Sequence, residues 1–90
     1  MPSKKPRWTV AEMDAHEQAR ALLNALISAY SARIGAAPTP EAARELRAER
    51  APLLAERDSL TADDRARIEE ILKEVPRQLA AVRGTGGPGE

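Results

Sequence analysis

His16 is the one histidine of the chain, and Glu12 stands four residues before it. On a helix that spacing puts carboxylate and imidazole on one face. General acid–base work or metal binding would need a third group: a nucleophile beside the ring, or a second ligand three or four residues on. The sequence supplies neither, and the Glu-x-x-His spacing of helical di-iron sites is absent. His16 therefore reads as a polar residue on a helix surface. Glu69, Glu70 and Glu74, with Asp63 and Asp64 just ahead, form the densest acidic cluster. Carboxylates in the first turns of a helix are favoured by its dipole, and no oxygen-ligand loop with its turn glycine accompanies them, so no metal is expected. Ser28, Ser31 and Ser59 lack a nucleophile elbow and a basic neighbour, which argues against acyl transfer. The glycines of GTGGPGE do not make a phosphate loop, because such loops join a strand to a helix. No catalytic or cofactor-binding residue is expected, and no cofactor.

The arginines offer a different chemistry. Arg44, Arg47, Arg50 and Arg57, followed by Arg65 and Arg67, could line a phosphate-binding face, and Lys4, Lys5 and Arg7 form a purely basic arm. Glu41, Glu45, Glu49, Glu56 and Asp58 alternate with the arginines, however, and that pattern reads as a solvated helix laced with weak ion pairs. The chain carries 14 basic and 14 acidic residues, so it has no net field to attract a polyanion. Helix-turn-helix spacing with a basic recognition helix is missing. Nucleic-acid binding through Lys4, Lys5, Arg7, Arg44, Arg47 and Arg50 is the alternative reading.

The elements that must position these groups are all helical. In RWTVAEM, Thr9 caps a helix while Glu12 reaches back to the Thr9 amide, and Trp8 can pack on Met13 as a hydrophobic staple. Trp8 is also the type of residue that anchors an interface. Met13, Ala19, Leu22, Leu23, Leu26, Ile27, Tyr30 and Ile34 then recur on one broad face. Gly35 should end this helix as a left-handed cap, ahead of AAPTP.

Thr39 with Pro40 and Glu41 opens a second helix, whose Leu46, Leu53 and Leu60 recur every seven residues as a narrow seam. Pro52 should kink it or split it into two shorter helices meeting at Ala51. Thr61 with Asp64 signals a third cap, followed by the cleanest stripe in the chain: Ile68, Ile71, Leu72, Val75, Leu79 and Val82. Pro76 should kink this helix near Glu74 and Val75, and Gly84 should end it. No alternating run signals a strand.

The expectation is one small all-α domain: three helices over residues 8–83, the second and third kinked at proline, preceded by a flexible basic arm at 1–7 and followed by a disordered Gly-rich tail at 84–90. A core without phenylalanine in a 90-residue chain is modest, and cysteine is absent, so association is the expected source of further stability, with dimerisation completing a bundle. Absence of cysteine fits a reducing cytoplasm, no stretch is apolar enough for a bilayer, and arginine in excess of lysine with abundant alanine suggests a GC-rich bacterial source. The function expected is protein–protein interaction, as a homodimer or as the small accessory subunit of a larger protein. Leu23, Ile27, Tyr30 and Ile34 on the first helix and Ile68, Leu72, Val75 and Leu79 on the third should form the core and, where uncovered, the interface, with Trp8 as an interface anchor. A third class, a small helical enzyme, would need a pocket of arginines and carboxylates between helices or subunits.

Overall fold

The computed structural model describes residues 9–84. They form α1 (Val10–Gly35), α2 (Pro40–Ser59) and α3 (Arg65–Gly84), with no strand among the described residues, so the all-α three-helix architecture is as expected. Lys4, Lys5, Arg7 and Trp8, with its staple on Met13, lie outside the described residues, as does the Gly-rich tail beyond Gly84.

α1 begins at the expected capping box. The Thr9 hydroxyl accepts the Glu12 N–H at 3.0 Å, and the Glu12 carboxylate accepts the Thr9 N–H at 2.9 Å. Its end differs from expectation. Gly35 is still helical, and no glycine among the described residues has positive φ. The turn closes through Ala36, at φ −100° and ψ 4°, whose N–H reaches the Ala32 carbonyl at 3.1 Å while the Ala37 N–H reaches Ile34 at 3.2 Å. That conformation is open to any L-residue, and Pro38 then biases Ala37 away from helix, so no left-handed glycine is required.

Thr39 caps α2 by accepting the Ala42 N–H at 3.0 Å, with Pro40 at the first helical position. α2 runs unbroken through Pro52, and α3 through Pro76. Two shorter helices meeting at Ala51 are thus not formed. Both prolines sit on exposed faces, where the carbonyl left without a donor meets water instead of a dry core. α3 starts later than Thr61 suggests. The Asp64 carboxylate accepts both the Thr61 N–H at 3.1 Å and its hydroxyl at 3.4 Å, while the Asp64 carbonyl takes the Ile68 N–H at 2.8 Å. Asp64 therefore holds Thr61 in a turn, and Arg65 is the first helical residue.

α1 is the central element: α2 returns antiparallel along it and α3 runs parallel to it. Both flanking helices pack on α1, yet no Cα of α2 comes within 8 Å of a Cα of α3. The core lies between α1 and α3, where Ala19, Leu23 and Leu26 meet Ile68, Ile71 and Val75, closed at one end by Leu60. Leu23, Leu26 and Ile71 are essentially without exposure, and each such side chain contributes roughly 1.5–3 kcal/mol. α2 contributes no buried residue. Its Leu46, Leu53 and Leu54 are half-buried, and polar bonds supplement them: Arg50 donates to Ser31 Oγ at 2.9 Å and Arg57 to Asn24 Oδ1 at 3.1 Å.

Candidate interaction surface

Because α2 and α3 diverge over α1, they leave a trough between them. Leu26 and Tyr30 of α1 form its floor, Glu49 and Leu53 one wall, and Gln78, Ala81 and Val82 the other, enclosing about 400 Å³. The opening continues past Arg33, Glu45, Leu46 and Arg83 toward the end of α1, since Glu49 and Val82 border both parts, and Arg33 donates across it to the Val82 carbonyl at 3.1 Å. Farther along α2 and α3 stands an ion pair: the Glu56 carboxylate receives Arg67 in a two-pronged bond, one arm at 2.6 Å, and Arg67 also donates to Glu70 at 2.8 Å. Arg67 holds the Glu56 carboxyl below its ordinary range through the hydrogen bond first, against partial burial. Burial, with the neighbouring Glu49 carboxylate, raises the Tyr30 phenol above its usual value.

The charges of α2 are segregated across the helix. Glu41, Glu45 and Glu49 follow one another at four-residue intervals, and the last two line the trough. Arg50 and Arg57 turn instead to the α1 side and bond Ser31 and Asn24. The expected lacing of α2 by glutamate–arginine pairs is absent among the described residues: the α2 arginine paired to a carboxylate is Arg57, to Asp58 at 3.2 Å, and Glu56 pairs with α3. The spacing explains it, since no Glu in α2 has an Arg four residues later.

The expected interface residues divide. Leu23, Ile68 and Val75 are 0, 4 and 3% exposed and belong to the core, the first of the two places expected for them. Their stripe is covered by α1 and α3 packing on each other. Ile27 is also buried, at 8% exposure, outside the main cluster. Tyr30, Ile34, Leu72 and Leu79 are half-buried. Tyr30 floors the trough, and Leu72 borders a shallow groove at the other end, with Ala11, Ala15, Ala62, Ile68 and the charged Glu12, Arg65 and Glu69. Trp8 lies outside the described residues. The sequence puts Leu53 in a seam, Val82 in a stripe and Glu49 among alternating charges without bringing them together, and Gln78 and Ala81 carry no signal; the four-residue glutamate period beside the leucine seam could have found the α2 wall.

The residues weighed for other chemistry are placed as follows. His16 is half-buried, and its Nε2–H donates to the Leu60 carbonyl at 3.1 Å, tying α1 to the α2–α3 turn. Glu12 adds an ion pair with Arg65 to its capping bonds, and the Thr9 backbone N–H, foremost, holds its carboxyl below the usual range. Among the described residues no three His, Asp or Glu side chains are grouped to hold a metal ion, and no helix is long and apolar enough to cross a membrane. The arginines do not form one face: Arg44 and Arg47 are exposed on α2, whereas Arg50 is half-buried against Ser31 and its Nε is covered without an acceptor. Comparison with family models, curated proteins and solved structures finds no match to this chain.

Proposed function

We propose that this protein is a small helical protein–protein interaction module, acting as a homodimer or as the small subunit of a larger assembly. One observation carries the reading. α2 and α3 both pack on α1, no Cα of one comes within 8 Å of a Cα of the other, and they meet through the Glu56–Arg67 ion pair at one end, so Leu26, Tyr30, Leu53 and Val82 line an open trough where a three-helix bundle would close. A partner segment laid there would bury apolar surface that one chain leaves wet, at about 25 cal/mol per Å² removed from water. The neutral overall charge and the divided arginines favour this over polyanion binding.

Light scattering over a dilution series tests the self-associating form. The mass should exceed the 9.8 kDa of one chain at high concentration and fall on dilution. Ala81→Arg, at an exposed position on the trough wall, should hold the chain at monomer mass with an unchanged helix melt. An associating Ala81→Arg variant would place the contact elsewhere.

A further inference from the structure

We infer that the groove between α1 and α3 beside Leu72 is the seat of Trp8 of the same chain, so that the residue leading into α1 fastens the first helix to the third. The inference stands apart from the trough and from the interaction reading above.

The groove opens where the described chain begins. Ala11 and Ala15 of α1 border it on one side and Leu72 of α3 on the other, over the buried Ala62 and Ile68, and it encloses about 320 Å³. Chain continuity selects its occupant. Ala11 and Ala15 stand two and six residues beyond Thr9, roughly 3 and 9 Å along the helix at 1.5 Å per residue. The Cα of Trp8 is about 3.8 Å from that of Thr9 across one peptide bond. The trough floor at Tyr30, by contrast, is 21 residues from Thr9, roughly 31 Å along α1.

The direction of approach is set as well. The Thr9 N–H, which belongs to the peptide joining Trp8 to Thr9, donates to the Glu12 carboxylate at 2.9 Å. Glu12 lines the groove and is paired with Arg65 of α3, which lines it too. The backbone that carries Trp8 is thereby held at the groove's edge. Met13, the alternative contact for Trp8, lies two residues from Ala11 on another side of α1 and does not border the groove. An aromatic side chain buries about 150–250 Å², more than one partly exposed methionine covers, whereas the groove brings apolar surface from two helices and the turn between α2 and α3. The charges around the groove suit the segment. Glu12 and Arg65 bind each other, the Arg65 guanidinium is placed to lie over an indole face, and Glu69 has no ion-pair partner among the described residues and is there for Arg7.

Trp8, the only tryptophan, is its own probe in the full chain. Nuclear Overhauser contacts should join its indole protons to the Leu72 and Ala15 methyl groups, and should vanish from a spectrum filtered for contacts between labelled and unlabelled copies. Its emission should be blue-shifted and shielded from acrylamide to the same degree at every dilution. Ala11→Glu, at an exposed first-turn position where the helix dipole favours a carboxylate, should keep the helix content, shift the emission to the red and raise acrylamide quenching severalfold. Met13→Ala should leave the emission unchanged. Indole contacts to Met13 in place of Leu72, or an emission moved by Met13→Ala and not by Ala11→Glu, would return Trp8 to a staple within α1 and overturn the seat. Contacts that survive the filter would make Trp8 an anchor between copies and overturn it equally. So would a wild-type emission as red and as readily quenched as that of free tryptophan.

Discussion

Ile71→Ala and Leu46→Ala form a pair of substitutions that weigh α3 against α2. Ile71 is fully buried between α1 and α3, and removing its side chain beyond Cβ loses the transfer energy and leaves a cavity, together about 2–5 kcal/mol. A chain of this size is stable by roughly 5–13 kcal/mol, at 0.05–0.15 kcal/mol per residue, so that loss is a large share of the whole. Leu46 is half-buried on a helix that buries nothing completely. Half of the roughly 1.5–3 kcal/mol of a fully buried leucine gives about 1 kcal/mol. Domains of 60–100 residues lose roughly 4–8 °C per kcal/mol, so Leu46→Ala should melt within about 10 °C of wild type, and Ile71→Ala well below that. Ile71→Val, at about 0.5–1.5 kcal/mol, supplies a graded variant that stays folded. Urea titration followed by far-ultraviolet circular dichroism reads all three. Equal losses for Leu46→Ala and Ile71→Ala would refute the view that α1 and α3 carry the core and α2 is a peripheral wall.

Ile27→Asp should destabilise the fold or its assembly, because it places a carboxylate at an 8% exposed site; a stable variant of unchanged mass and melt would contradict the burial. Thr9→Ala should cost about 1 kcal/mol by removing one half of the capping box, and a melt equal to wild type would show the box to be idle. Glu12 and Glu56 both have carboxyl pKa values lowered in the folded chain by the Thr9 amide and by Arg67 respectively. Their contribution is complete above the ordinary value of 4.5 and is lost as pH falls through the lowered folded values. Urea midpoints should therefore decline below about pH 4.5, and Glu12→Gln with Glu56→Gln should flatten that decline; an unchanged slope would assign it to other carboxylates. Glu49→Gln should lower the Tyr30 phenol toward its usual value, read by phenolate absorbance, and no movement would separate the two side chains.

Much of the fold was legible because local signals agreed with one another. The Thr9–Glu12 box, Thr39 before Pro40, and the stripe from Ile68 to Val82 all follow from hydrogen-bond bookkeeping at helix ends and from 3.6-residue periodicity. Gly35 and Thr61 misled because the same residue types serve more than one local geometry: glycine can remain helical, and threonine can be held by an aspartate instead of capping. The surface was less legible. Periodicity identifies which residues seek cover and is silent on which neighbour provides it, so Leu23, Ile68 and Val75 read as core while nothing in the spacing showed that α1 and α3 cover each other and leave Tyr30 on a trough. The divergence of α2 from α3 depends on α2 being thin in apolar residues, and counting charges along the chain hid that its glutamates and arginines fall on different sides.

The location of the contact can be measured with one label, since the chain has no cysteine to compete. Ala81→Cys stands on the trough wall and Ala55→Cys on the exposed side of α2, and each would carry a polarity-sensitive dye small enough to leave assembly intact. As concentration is raised through the association range, the dye at position 81 should shift to the blue and the dye at 55 should not. A shift at 55 with none at 81 would contradict the claim that the trough is where this protein binds.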